Sequence, residues 1–394
     1  MLEVVLHDYA AWRAHLLPLV YTRPVSDLRV GMLTISQKWK YALSASISFY
    51  TIPYLQQKFP SPAATSMYLV IRGNVLPSPA LSKALRELPL SSVLTKDGLW
   101  IAYKATEWRE EPDFSAWREI PYQSAVQQVD FLEDIYRLNE QQLVSDYDLL
   151  TANRQSAVLP DSNTLFGERL FIGRNAEINC SILNAMNGPI YIGDGAVVEE
   201  GSVLRGPIAI CAGARVKMGS RLYPNVTVGP GATIAGEVNN SVLWGNCAKG
   251  HEGYLGCAVI GEGCNIGAGS SNSNLLNTWG TIKLYDYATS EMRDTNRRKV
   301  GVFMGDYAMC GINASMTTGT VIGVGAQIAM SNIIPKFVPD FSWFTDAKQE
   351  VYRVEKFLEM LQERAVVKNE QLSTLDTQIL RHVHKLTEVQ QKKN

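Results

Sequence analysis

The sequence predicts three parts in series: a mixed α/β domain, a prism built from a six-residue repeat, and a helical tail. Two observations carry this. Of 30 glycines, only Gly31, Gly73 and Gly98 precede residue 160, and all the others fall between Gly167 and Gly325. Within that glycine-rich stretch apolar residues recur at every sixth position, from Ile192 through Val198, Leu204, Ile210, Val216, Leu222 and Val228 to Ile234. Period six suits neither an amphipathic helix nor an alternating strand. It fits a triangular coil with one inward residue per face and a small residue at each corner. The expected boundaries are 1–128 for the first domain, 129–160 for a helical linker, 161–344 for the prism and 345–394 for the tail.

In the first domain, Leu2 to Leu6 and Met67 to Ile71 read as buried strands. Leu81, Leu85 and Leu88 follow at helical spacing, and Val93 to Tyr103 reads as a hairpin around Asp97 and Gly98. In the prism the register slips by two across Glu237 to Asn240. It is expected to resume at Val242 and to run through Tyr254, Ile260 and Ile266. After an insertion it returns at Met304, Cys310, Met316, Ile322, Ile328 and Ile334. Eight or nine coils at about 4.8 Å each give a prism on the order of 40 Å long. In the tail, Val351, Val354, Leu358 and Leu361 form a stripe behind a Thr345 cap, and Ser373 with Asp376 resembles a capping box. His382 and His384 lie two apart, on different helix faces, and are expected at the surface.

Composition removes several classes of function. A net charge of −1 over 394 residues offers no field for nucleic acid or an anionic membrane. No apolar run reaches the roughly 18 residues a membrane helix needs. Glu3 and Asp8 stand where a secretory leader would be basic and then apolar, so a cytoplasmic protein is expected. The six cysteines, Cys180 to Cys310, form no CxxC pair and read as small packing residues.

The stretch from Lys249 to Asn274 concentrates the chemistry. His251 is the only histidine of the repeat region, and histidine is the side chain that exchanges a proton near neutral pH without a shifted pKa. A surface turn is the competing reading. The spacing of His251, Tyr254, Leu255 and Gly256, then Ile260 with Asn265 to Gly269, then Asn274, resembles the acetyltransferase half of the bifunctional enzymes that make UDP-N-acetylglucosamine. That resemblance implies a left-handed parallel β-helix of hexapeptide-repeat type, which usually assembles as a homotrimer with the thioester site between neighbouring prisms. It implies acetyl-CoA as co-substrate, an amino-sugar phosphate of the glucosamine-1-phosphate kind as acceptor, and His251 as catalytic base. Tyr254, Asn274, Lys249 and Asn265 would contact substrate, although Tyr254 competes for an inward hexad position. Ala268 would touch the cofactor. Arg293, Arg297 and Arg298 in the insertion would clamp its phosphates, or else form a solvated loop. After Asn274 the chain departs from the family pattern, so the acceptor is less well specified than the reaction.

The first domain resembles a degenerate sugar-1-phosphate nucleotidyltransferase. Thr22, Arg23 and Asp27 are retained, and Arg29 stands near the position of a missing lysine. The usual glycines are replaced by Leu17, Pro18, Leu19 and Val20, which deny the backbone a close approach to phosphates. Asn74 stands where a Mg²⁺-binding carboxylate is expected, and a neutral amide is a poorer ligand. The whole chain is most similar to the alternative bacterial bifunctional form. The expected function is acetyl-CoA-dependent N-acetylation of an amino-sugar phosphate, with UTP and Mg²⁺ used only if the first domain is active. The alternatives are a nucleotidyltransferase whose prism only drives oligomerisation, and a non-catalytic sugar-nucleotide-binding scaffold.

Overall fold

The computed structural model of the chain describes residues 2–8, 10–109 and 111–391. Met1, Tyr9 and Glu110 of the expected first domain, and the last three residues of the expected tail, lie outside them.

The N-terminal domain is a mixed sheet with strands β1 (Leu2–His7), β2 (Ile47–Tyr50), β3 (Met67–Arg72), β4 (Ser92–Lys96), β5 (Leu99–Ala105) and β6 (Arg118–Pro121), in spatial order β2-β1-β3-β5-β4-β6. β1 runs parallel to both β2 and β3, and β5 closes antiparallel on β3. The centre of β1, Val4 to Leu6, is apolar because both its faces are covered. Val4 and Leu6 join the main core, and Val5 packs with Val70 and Tyr103 on the other side. The helix Ile35–Leu43 starts at Thr34 in a capping box with Gln37. The expected helix and hairpin are present as Pro79–Glu87 and β4–β5.

The helix Leu132–Thr151, expected as a linker, is a wedge between the two halves. Its Asn139 bonds Asn225 of the prism at 2.8 Å and accepts from Gly31 of the first domain at 2.7 Å. Asp146 forms a buried ion pair with Lys38 and accepts from the amides of Met32 and Leu33. One continuous core joins Leu132 and Ile135 of this helix to Val242, Trp244, Val259, Phe303 and Val321 of the prism.

The prism is a parallel β-solenoid. One face is an uninterrupted nine-stranded sheet from Leu170–Ile172 to Phe337–Val338. The next carries ten strands, from Glu177–Ile178 to the antiparallel Gln349–Val351. The remaining face is split into sheets of six and three strands, and the split falls between Tyr254–Gly256 and Ser271–Asn272. The inward hexad from Ile192 to Ile234 forms the expected core.

Between Ile234 and Ile260 the expected phase is corrected. The inward residues are Val238, Leu243 and Leu255, whereas Val242 faces the N-terminal domain and Tyr254 lies outside the core. The reason is a short corner. Only Ala235, Gly236 and Glu237 separate Ile234 from Val238, which shifts the alternation until the expected series resumes at Ile260 and Ile266 and holds from Met304 to Ile334. By register with Ile234, the inward place in the following coil falls to Lys249. Asn272 is buried as well, with Ser241 and Ser270.

The insertion 275–302 contains an antiparallel hairpin, Lys283–Asp286 with Glu291–Asp294. In the tail, Thr345 and Val351 lie in strands and do not cap or continue a helix. The first tail helix is Val354–Lys368, entered from Arg353 without a side-chain cap. The Ser373–Asp376 capping bonds are present at the second helix, Thr374–Gln391. His384, expected at the surface, is buried against Phe341 with Nε2 3.1 Å from the Tyr352 carbonyl, while His382 is exposed and stacks on Tyr54.

Candidate functional site

His251 occupies an exposed corner, between the strand Ala248–Lys249 and the strand Tyr254–Gly256 of the split face. Its neighbour Glu252 is held by Arg221 at 2.6 Å. Asn265 is exposed on the adjoining face, in register with Ala248 and so one coil from the root of the corner. Ala268 lies at the next corner along, its carbonyl accepting from Asn313 at 2.7 Å.

The split in the face is filled by side chains. Asn272 reproduces the missing ladder, accepting from the Gly256 amide at 2.8 Å and donating to its carbonyl at 2.9 Å. Ser271 Oγ accepts from the Tyr254 amide at 3.0 Å. Gly301 closes the arrangement, because a Cβ there would lie 1.9 Å from the Gly256 carbonyl oxygen. The result brings Asn274 to Tyr254, with Nδ2 donating to the phenol oxygen at 3.1 Å. Burial raises the Tyr254 pKa, so the phenol stays protonated and keeps a donor for an incoming acceptor atom. Thus Tyr254 and Asn274 meet over Gly256 and Cys257, on the strand that His251 precedes by three residues, and Asn265 stands on the adjoining face.

Lys249 does not join them at the surface. It is 1% exposed, inside the solenoid, with Nζ donating to the carbonyls of His251 at 2.5 Å and Glu252 at 3.1 Å. The expectation of a phosphate contact is corrected accordingly. The basic cluster also divides. Arg293 forms a two-bond contact with Glu133 at 2.8 and 2.9 Å and lies over Phe131, so it fastens the hairpin to the start of the wedge helix. Arg298 is exposed and Arg297 half-buried, which leaves these two free of that fastening.

In the N-terminal domain the signature residues turn toward the solenoid. Thr22 and Arg23 both donate to Asp306, and Arg23 also lies over the Trp244 ring at 4.6 Å. Arg29 donates to the Met32 carbonyl. Asn74 is fully buried and donates to Asp130 at 2.8 Å. Leu19 and Val20, read as replacements for phosphate-binding glycines, are core residues.

A family model described as sugar nucleotidyl transferase matches residues 4–155. A bifunctional protein GlmU of Methanocaldococcus jannaschii is 32% identical over 185 residues, which cover 45% of each chain. Over these stretches the chain is similar to GlmU proteins. A bifunctional sugar-1-phosphate nucleotidylyltransferase/acetyltransferase of Sulfurisphaera tokodaii is 32% identical over 108 residues, covering 27% of this chain and 26% of that one. A GlmU of Francisella philomiragia is 30% identical over 186 residues, 46% of this chain and 34% of that one. The GlmU-like chain therefore spans about half or less of the length of these curated relatives.

The sheet topology of this GlmU-like chain exposes what its sequence concealed. Ligands of such sheets sit beyond the carboxyl ends of parallel strands. Beyond β1 and β3 lies a cavity of about 750 Å³, lined by His7, Trp12, Arg72, Trp100 and Asp130 among others. The loop that borders it follows His7 directly, upstream of Leu17. The end of β1 was the available signal for it. Asp130 is bonded to both Asn74 and Gln128, and burial raises its pKa. Among the described residues no group of three or more His, Cys, Asp or Glu side chains could hold a metal ion. The residues here do not fit a Mg²⁺ site, since the one carboxylate beside Asn74 is already engaged by two amides. No described helix is long and apolar enough to cross a membrane.

Proposed function

We propose that the chain is an acetyl-CoA-dependent N-acetyltransferase for an amino-sugar phosphate, glucosamine-1-phosphate or a close analogue. The observation that carries this is the Tyr254–Asn274 hydrogen bond at 3.1 Å, formed across the split face on the strand that follows the His251 corner. His251 takes a proton from the attacking amine. The nitrogen lone pair forms a bond to the thioester carbonyl carbon, and the C=O π pair moves onto oxygen. Collapse of that intermediate expels the coenzyme A thiolate, which receives the proton from His251. Tyr254 and Asn274 orient the acceptor, Asn265 and Ala268 flank the thioester, and exposed Arg298 with Arg297 meets the cofactor phosphates.

The same reading assigns a homotrimer and a cytoplasmic setting. Exposed Ile182, Phe166, Met186 and Met218 along the solenoid support packing against further copies. Uridylyl transfer from UTP is not assigned to the N-terminal domain. Arg23 and Thr22 are engaged by Asp306, and the site does not fit Mg²⁺.

The test is thiol release from acetyl-CoA with glucosamine-1-phosphate, for the wild type and His251→Ala. The expected result is release by the wild type and a large loss in the variant. Equal rates would remove His251 from the mechanism, and no release with any amino sugar would favour a binding scaffold.

A further inference from the structure

Among the described residues, the buried lysines and arginines have partners, with one exception. Arg13 pairs with Asp8, Lys38 pairs with Asp146, and Lys249 donates to two carbonyls. Arg72, the last residue of β3, is only 7% exposed, yet it makes no ion pair with a described residue. Its Nε is buried without a hydrogen-bond partner, and its one hydrogen bond, from Nη1 to the Trp100 carbonyl, is long at 3.5 Å. Burial pulls its pKa down, and the charge of Asp130 restores only part of that. A guanidinium held in this way is costly unless something pairs with it.

Arg72 borders the cavity of about 750 Å³ beyond β1 and β3. Trp12 covers one face of the guanidinium at 4.2 Å. What remains for a ligand is the edge, which carries the N–H donors in a planar fork that matches a carboxylate. Rings continue along the wall, with Trp100 6.3 Å from Trp12 and Phe114 6.2 Å from Trp100. His15 also lines the cavity. Asp286 holds its Nδ1 at 2.8 Å, and its Nε2 makes no hydrogen bond to a described residue.

The charges select among anions. Arg72 is the only permanent cation among the described lining residues, and Asp130 and Glu111 line the same cavity. A polyphosphate would bring several negative charges to these two carboxylates with a single guanidinium to meet them. It would also lack a close backbone approach after β1, since no glycine precedes Gly31. One carboxylate needs only one guanidinium.

We propose that this cavity binds a carboxylate carried on a ring-containing apolar body, with Arg72 taking the carboxylate edge-on and Trp100 and Phe114 packing against the rings. The site is separate from the His251 corner and does not depend on acetyl transfer there.

The test is calorimetric titration of the intact chain with indole-3-acetate, and with indole-3-acetamide as its neutral counterpart. Indole-3-acetate should bind at one site per chain, and the amide about tenfold more weakly, the scale of a charge-assisted hydrogen bond. Arg72→Met should weaken the acetate by about tenfold or more and leave the amide unchanged. The ligand-free Tm of that variant should equal or exceed that of the wild type, because a buried unpaired charge is removed. Should Arg72→Met not fold, Trp100→Leu decides: it should weaken both ligands, and undiminished affinity for both overturns the proposal. Equal affinity for acetate and amide overturns it, as does wild-type affinity in Arg72→Met. Displacement of indole-3-acetate by tighter binding of UTP or UDP-N-acetylglucosamine overturns it by marking a retained sugar-nucleotide site. So does an absence of binding by indole-3-acetate, phenylacetate and benzoate alike.

Discussion

The two motif-bearing regions of this chain have met opposite fates. In the N-terminal domain, Thr22, Arg23 and Asn74 are all engaged by carboxylates of the chain itself, two of them by Asp306 of the solenoid. On the split face of the solenoid, His251 is exposed and the half-buried Tyr254 and Asn274 bond to each other. A motif's residue types can therefore survive while their job changes from meeting a ligand to joining two halves of a protein. The orientation of the side chains separates the two cases, and the motif alone does not.

Pairs of substitutions sharpen this contrast. Replacing His251 with Ala should lower turnover by about 10²–10⁴-fold, the range for a positioned base, and leave Tm unchanged because the ring is exposed. Asp306→Ala should act in the opposite sense. It strips the carboxylate from Arg23 and Thr22 at a largely buried contact, and breaking such a pair costs about 3–5 kcal/mol. Denaturant unfolding should show that loss, and a variant as stable as the wild type would mean that Arg23 is not an interdomain tie. Tyr254→Phe removes one hydroxyl from the acceptor side. It should raise KM for the amino sugar by several-fold to tenfold, as expected for about 1 kcal/mol of hydrogen bonding, with KM for acetyl-CoA unchanged. An effect confined to acetyl-CoA would move Tyr254 to the cofactor side.

The smallest effect concerns pH. Asp340 is buried where the insertion and tail meet the solenoid, accepting from Tyr287 and from the Val324 amide, and burial pushes its pKa up to about 7. A carboxyl whose pKa is raised by folding binds its proton more tightly in the folded state. Its contribution is complete below the unfolded pKa near 4 and is lost as pH rises through about 7. Asp340→Asn should flatten the dependence of Tm on pH across that window. An unaltered profile would assign the dependence to other groups.

The hexad from Ile192 to Ile234 was legible because one residue in six must be apolar to fill the bore, whatever stands outside. The same rule misplaced Val242 and Tyr254. A shortened corner changes no composition and leaves apolar residues on both candidate phases, so only the strand pairing selects Leu243 and Leu255. Lys249 was legible as a residue near His251 but not as an inward one, because its charge argues for the surface until two carbonyls are seen to accept from it. The engagement of Arg23 by Asp306 joins positions 283 residues apart, and no local pattern encodes such a contact. Trp12 and Trp100, which wall the N-terminal cavity, likewise lie far apart in the chain and meet only because β1, β3 and β5 are neighbours.

We propose that transfer chemistry resides at the His251 corner and that the N-terminal signature is structural. One reaction tests it most directly. The wild-type chain is incubated with acetyl-CoA, glucosamine-1-phosphate, UTP and Mg²⁺, and coenzyme A and pyrophosphate are measured in the same samples. Release of coenzyme A without pyrophosphate is the predicted result, and pyrophosphate without coenzyme A would contradict it.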